Sequence, residues 1–301
     1  MKNVSLIGLG PMGSVLGDLL LKAAHPVTVW NRTPQKATRL VERGAALAAS
    51  AAEAISAGTI TIVCLLDYSA VQDVLASSGA SAALQDRLIV NLGTGGPEEA
   101  RRLEAFVHER GGRYLDGAIQ AAPSQMGKDD TPVFVSGVRS HFDEAHSVLR
   151  VFAGNVVHLG EAIDAAAYMD LATLSFVYGS YAGFLHGANI AGATGIDVAT
   201  YGRLVNAISP SFGEFFHHEA NVIASADFRI TESPLRISIP AVRRILRASE
   251  DLSINVQVPA LMDGWLQRAE ADGLANEELA ALIKVIRGSS SASQTFESMD
   301  A

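Results

Sequence analysis

Val4-Ser5-Leu6-Ile7-Gly8-Leu9-Gly10-Pro11-Met12-Gly13 opens the chain with a short apolar run that stops at three spaced glycines. A helical pattern follows through Ala24, so the glycines stand at a strand-to-helix turn. In that setting a GxGxxG spacing has a physical meaning. The first glycine makes the tight turn, the second lets backbone N–H groups approach a pyrophosphate, and the third lets helix and strand pack closely. The anion then rests on the helix N-terminus, where N–H groups lack helical partners. The stretch predicts a dinucleotide site built from Gly8, Leu9, Gly10, Pro11, Met12 and Gly13.

Next in the chain, Val27–Trp30 reads as a second strand and ends at Asn31-Arg32-Thr33, with Lys36 one turn further. An NAD site would hold an acid here against the ribose 2′-hydroxyl. No acid is present, and the planar guanidinium of Arg32 suits a 2′-phosphate. Asn31, Arg32, Thr33 and Lys36 therefore point to NADPH. Apolar runs at 59–66, 87–92, 114–119, 132–136 and 156–159 read as further strands, and 97–110 as an amphipathic helix with proline in its first turn. Such alternation predicts a parallel sheet covered by helices. Leu65 and Leu66 close one run, and Asn91, Gly93 and Thr94 close another, at the strand ends where such sheets bind ligands. These five join the predicted cofactor site. Asp116-Gly117 stands at a similar strand end, where a solvated turn and a site role are both open readings.

The segment 160–195 has no proline, and between Asp164 and Asp197 its only formal charge is Asp170. Its apolar residues keep to no single helical face, which predicts a helix surrounded by a core or a bilayer. Thr173, Ser175, Ser180, His186, Asn189 and the glycines at 179, 183, 187 and 192, with no flanking Lys/Arg cluster, argue against a membrane span. A lone carboxylate in such a helix is costly unless it has partners or a task, so Asp170 is the leading catalytic candidate. Beyond 195 the strand signals stop. Helices are predicted at 197–207, 213–225, 240–253, 259–272 and 276–287, the last with Asn276 as N-cap. The Ser-rich end reads as a disordered tail. The expected organisation is an α/β chain. It has a Rossmann-type dinucleotide-binding domain at 1–160, a long interdomain helix at 161–195, an all-α domain at 196–287 and a tail at 288–301. So much apolar helix surface also predicts a partner subunit.

The totals narrow the function classes. A net charge of −9 argues against nucleic acid or an anionic membrane as partner. A single cysteine, Cys64, excludes an internal disulfide framework and fits a reducing, cytoplasmic setting. The first apolar run ends in a glycine turn rather than a cleavage site, unlike a signal peptide. His217, His218 and Glu219 are adjacent on a helix and point in different directions, so no metal site is predicted.

The start GLGPMG…VTVWNRT, running into a sheet domain and one long apolar helix, resembles the 3-hydroxyacid dehydrogenase superfamily. Within it, 91–97 (NLGTGGP), 115–118 (LDGA), 123–127 (PSQMG) and 167–172 (AYMDLA) resemble the NADPH-dependent imine reductases and reductive aminases. The resemblance covers 1–287. In the hydroxyacid dehydrogenases the position of Asp170 is a lysine, followed by Leu-Ala and an asparagine. Here Leu171-Ala172 and Thr173 follow. A lysine polarises a carbonyl or takes up an alcohol proton, whereas an aspartate holds a cation or, if protonated, delivers a proton. The resemblance thus implies reduction of C=N bonds in cyclic imines or iminium ions, with NADPH as cofactor and Asp170 as proton donor or iminium stabiliser. Tyr178, about two turns along nearly the same face, matches a substrate-pocket tyrosine of the reductive aminases. Thr94 stands where those reductive aminases have asparagine, which bears on joining a ketone to an amine but not on reducing a preformed imine. The resemblance further implies a domain-swapped homodimer with shared active sites, Phe212, Phe215, Phe216 and 235–239 lining the pocket from the partner. The alternatives are a 3-hydroxyacid dehydrogenase of the same fold and a catalytically idle NADP-binding sensor.

Overall fold

Runs of four aliphatic residues bounded by turns become strands here, and their order fixes the first part of the molecule. The computed structural model describes residues 2–288. In chain order the first part contains β1 (Val4–Ile7), α1 (Pro11–Lys22), β2 (Val27–Trp30), α2 (Thr38–Glu42), β3 (Ala46–Leu47), α3 (Ala51–Ala57), β4 (Ile60–Val63), α4 (Tyr68–Ala76) and α5 (Ala80–Ala83). It continues with β5 (Leu88–Asn91), α6 (Pro97–His108), β6 (Arg113–Ile119), β7 (Pro132–Ser136), α7 (Arg139–Phe152) and β8 (Asn155–His158). After them come α8 (Ala165–Ala193), α9 (Val198–Ser225), α10 (Leu235–Asp251), α11 (Gln257–Ala271) and α12 (Leu282–Gly288).

The strands form one sheet in the order β3-β2-β1-β4-β5-β6-β7-β8, with β1 beside both β2 and β4. That reversal of order on either side of β1 is the switch point at which doubly wound sheets bind dinucleotides. Both faces are covered. Leu6, Ile62, Val90 and Leu115 pack on one side, and Ile7, Val63, Ile89 and Tyr114 on the other, as the period of two along each strand requires. The sheet is not wholly parallel as expected: β7 runs antiparallel to β6. The connection from Ile119 to Pro132 holds only a short 3₁₀ turn, and without a helical crossover the chain returns in the opposite sense. The two-residue β3 has too little pattern to be read from sequence.

The chain divides after Phe176 into two compact units, so the division falls inside α8 rather than in a loop. The first unit is the sheet with its helices and the first turns of α8. The second is helical, with a core of Leu235, Ile239, Leu266, Ala269 and Ala281. Three expectations for the second unit need correcting. The two helices predicted at 197–207 and 213–225 are one, α9, which runs through Pro210. The proline removes one ladder bond there, and the hydroxyls of Ser209 and Ser211 donate to the carbonyls of Val205 and Ile208 beside it. Likewise α10 starts at Leu235 and contains Pro240, rather than starting there. Asn276 ends a 3₁₀ turn, and its side-chain oxygen accepts from Arg236 instead of capping a helix.

The helix α8 is not surrounded as predicted. Tyr168, Met169, Leu171, Phe176, Val177 and Tyr181 are all exposed among the described residues. Among the described residues no helix is long and apolar enough to cross a membrane. The tail predicted from 288 lies, beyond Gly288, outside the described residues.

Candidate cofactor and active site

The glycine turn between β1 and α1 is built as its spacing dictates. Gly8 has φ +96°, and a Cβ there would stand 2.2 Å from the Cys64 carbonyl oxygen. A Cβ on Gly13 would stand 1.9 Å from the Gly8 carbonyl oxygen, so helix and strand meet too closely for any side chain. Gly10 differs: a Cβ would meet nothing within 4 Å. The chain itself therefore does not need glycine at position 10, and the open space beside it fits an approaching pyrophosphate. The first helical bond runs from Ser14 N–H to Gly10 C=O, leaving the N–H groups ahead of it for an anion.

Asn31 supports this turn. Its Oδ1 accepts from Leu9 N–H at 2.9 Å and its Nδ2 donates to Thr33 C=O at 3.0 Å, so it ties the glycine loop to the end of β2. Arg32, Thr33 and Lys36 are exposed beyond that strand, and neither Arg32 nor Lys36 forms an ion pair among the described residues.

A cleft of about 440 Å³ opens at the carboxyl ends of the strands. Gly10, Pro11, Met12 and Gly13 line it from the turn, Leu65 and Leu66 from beyond β4, and Gly93 and Thr94 from beyond β5. Asp170 of α8 faces the same hollow. Of the other residues assigned to the cofactor from sequence, Gly8, Leu9, Asn31 and Asn91 stand behind this lining as supports. Tyr178 belongs to the second unit, where it is 68% exposed.

Asp170 is half-buried and partnered rather than isolated in an apolar helix. Gln120, just past β6, donates from Nε2 to its Oδ1 at 2.6 Å. Thr173 Oγ1 donates to Gln120 Oε1 at 2.7 Å, with the Met169 and Asp170 carbonyls as its other acceptors. One hydroxyl proton serves one acceptor at a time, but the Gln120 oxygen is assigned and its N–H₂ is left for Asp170. Sequence reasoning missed Gln120. The signal available was a single amide in the run Ala118-Ile119-Gln120-Ala121-Ala122.

Asp116 proves to be a core residue rather than a solvated turn. It is 1% exposed, and its carboxylate accepts from Tyr68, Tyr114 and Asn91. Burial pushes its pKa up to about 7, although those three donors work in the opposite direction. Cys64 also lines the cleft, but burial raises its thiol to about 11, so it is an inert thiol. In the second unit His218, Glu219 and Glu278 come within 4.8 Å of one another, a grouping that sequence adjacency did not reveal. Glu278 is already filled by the N–H groups of Thr231, Glu232 and Ser233 and the Thr231 hydroxyl, which makes it a loop anchor.

Residues 3–160 match the NAD binding domain of 6-phosphogluconate dehydrogenase, and residues 163–288 match the NADPH-dependent reductive aminase-like C-terminal domain. An NADPH-dependent reductive aminase from Aspergillus oryzae is 32% identical over 290 residues, covering 95% of this chain and 97% of the relative. This chain belongs to the reductive aminase and imine reductase family. Solved structures of the family agree. An imine reductase from Myxococcus stipitatus in complex with NADP+ superposes with TM-score 0.86 at 28% identity, over 94% of this chain and 99% of the other. A reductive aminase from Aspergillus terreus in complex with NADPH and ethyl-5-oxohexanoate does so with TM-score 0.86 at 32% identity, over 95% and 100%.

Proposed function

We propose that this family member catalyses the NADPH-dependent reduction of C=N bonds, in cyclic imines or iminium ions, to amines. The observation that carries the reading is Asp170. It is a lone carboxylate facing the same cleft as the glycine turn, where a hydroxyacid dehydrogenase would place a lysine. The residues present suit the cofactor. The turn at 8–13 would hold the pyrophosphate, with Arg32 and Lys36 at the 2′-phosphate. Leu65, Leu66, Gly93 and Thr94 would lie along the nicotinamide half. When bound, NADPH supplies the hydride.

The chain's own groups supply the rest. Gln120 fixes one oxygen of Asp170 and leaves the other to face the substrate, where it holds a cationic C=N group or delivers the proton to nitrogen. The A. terreus reductive aminase has been solved with cyclohexanone and allyl amine, a ketone and an amine. With Thr94 at the position noted above, a preformed imine is the substrate expected to turn over best here. The exposed apolar residues of α8 and α9 support a homodimer with exchanged helices and shared sites, to which Tyr178, Phe212, Phe215 and Phe216 would contribute. The single Cys64 supports a cytoplasmic location.

The test is steady NADPH oxidation with a small cyclic imine, set against NADP+ reduction with a panel of 3-hydroxyacids. Turnover of the imine alone supports the reading. Efficient oxidation of a hydroxyacid, or binding of NADPH with no turnover of either, overturns it.

A further inference from the structure

Asp116 and Asn91 pair directly across the parallel ladder of β5 and β6, and Tyr114 lies two residues before Asp116 on the same face. Tyr68, the first residue of α4, reaches in from outside the sheet, its hydroxyl 2.7 and 2.6 Å from the two Asp116 oxygens. Tyr114 Oη stands at 3.0 Å and Asn91 Nδ2 at 3.3 Å. Three donors thus converge on one buried carboxylate. Among the described residues Asp116 forms no ion pair, and the Asp170 carboxylate disfavours its charge further.

Two of the three donors lead outward to the same loop, 92–96. Asn91 gives its N–H₂ to Asp116, which turns its Oδ1 to accept from Gly93 N–H at 3.0 Å. The ring of Tyr68 lies against Gly95, where a Cβ would stand 2.0 Å from Tyr68 Cδ2. Asp67, the residue before Tyr68, bridges to Thr94. The loop is therefore gripped at Gly93 by an amide and at Gly95 by a ring, and both grips end on Asp116. Gly93 and Thr94 of this loop line the cleft.

The position of the loop says which part of a dinucleotide it meets. Arg32 follows β2 and the loop follows β5, three strands away across β1 and β4. At strand spacing that is about 14 Å, so the loop serves the end remote from the 2′-phosphate. We propose that Asp116 is a positioning residue for the nicotinamide half of the cofactor, acting through Asn91 and Tyr68 on the loop that carries Gly93 and Thr94. The proposal rests on the reading that the cleft holds NADPH.

The experiment titrates two ligands, NADPH and adenosine 2′,5′-bisphosphate, into the unmutated protein, Asp116→Asn and Tyr68→Phe, with folding checked by circular dichroism. The bisphosphate carries the 2′-phosphate and lacks the nicotinamide half. Asn keeps the size of Asp116 and its Oδ1, on which all three donors converge, but replaces Oδ2 with an N–H₂ that meets the Tyr68 hydroxyl donor to donor. Tyr68→Phe keeps the ring on Gly95 and removes only the hydroxyl. NADPH binding should weaken roughly 5- to 20-fold in Asp116→Asn and roughly 2- to 10-fold in Tyr68→Phe, as for one or two ordinary hydrogen bonds. Bisphosphate binding should change by less than about 2-fold, since its contacts lie at the glycine turn and Arg32. Equal weakening of both ligands means that Asp116 merely supports the fold, and unchanged NADPH binding means that the loop does not depend on it; either result overturns the proposal. If Asp116→Asn fails to fold, Tyr68→Phe decides by the same split. An unmutated, folded protein that does not bind NADPH overturns the cofactor reading itself, and the proposal with it.

Discussion

Asp170 and Asp116 differ in what surrounds them, and their substitutions should be felt differently. Asp170→Asn keeps the size of the group but neither ionises nor offers an acidic proton. The kcat for a cyclic imine should fall about 10²–10⁴-fold, the usual contribution of a general acid. NADPH affinity, measured by fluorescence titration, should stay nearly constant; turnover within a few-fold of the unmutated enzyme would make Asp170 a structural residue. Arg32→Ala should weaken NADPH binding roughly 10- to 150-fold while leaving NADH binding little changed, the range of a charge-assisted hydrogen bond. Equal losses for both cofactors would remove Arg32 from the phosphate site. Asp116 makes a prediction about pH. Its pKa in the fold, about 7, lies above the ordinary 3.8, so the folded protein holds a proton that the unfolded chain has released. Its contribution is therefore fully present below about pH 4 and is lost as pH rises to about 7. Glu278 has the opposite sign: burial raises its pKa, but its four donors outweigh that and bring it to about 2, below the ordinary 4.5. Its contribution is present above pH 4.5 and is lost as pH falls toward 2. Urea unfolding between pH 4 and 7 should show a downward slope that Asp116→Asn reduces; an unchanged slope would count against a buried, titrating Asp116. Asp170 was legible in the sequence because it is the single charge in a long apolar run. Gln120 and Tyr68 were not, because each meets its carboxylate partner from about 50 positions away, a closeness that only the folded sheet creates.

The elements read best where a chemical rule had one outcome. The glycine turn could be read because each glycine excludes side chains for its own reason, and the central strands because aliphatic runs between turns have few alternatives. Direction was not encoded in the same way. The run at 132–136 has the composition of a strand whichever way it points, and β7 turns antiparallel because of the connection before it. Proline misled twice, at Pro210 and Pro240. Pro210 fell in the gap between two predicted helices and Pro240 at the predicted start of another, yet both lie inside helices. The loop at 231–233 carries the prediction at this scale. Glu278→Ala leaves the partly buried N–H groups of Thr231, Glu232 and Ser233 without their charged acceptor and should cost roughly 1.5–3 kcal/mol in urea unfolding, the range for a hydrogen bond to a charged group. A loss under about 0.5 kcal/mol would mean that water replaces the carboxylate, the outcome for exposed rather than buried donors.

For the whole molecule, the exposed apolar residues of α8 and α9 are the largest discrepancy between sequence pattern and the single chain. A helix that is apolar all round was expected to be enclosed with the help of a partner subunit, and among the described residues much of its surface is exposed. A second copy would resolve this, and sedimentation should find a dimer whose dissociation costs both folding and activity. A monomer that stays folded and active at nanomolar concentration would exclude shared sites. Whatever covers it, α8 runs unbroken for 29 residues across the division at Phe176, with no linker between the units. Continuity of this kind makes residue number a matter of phase. One residue inserted after Thr173 would turn Phe176 by about 100° relative to Asp170 and carry it about 1.5 Å further along the axis. Seven inserted residues, two turns, would bring it back to within about 20° of its original bearing. Recombination between relatives can change loop lengths in this protein residue by residue, but in this helix it can do so only by whole turns.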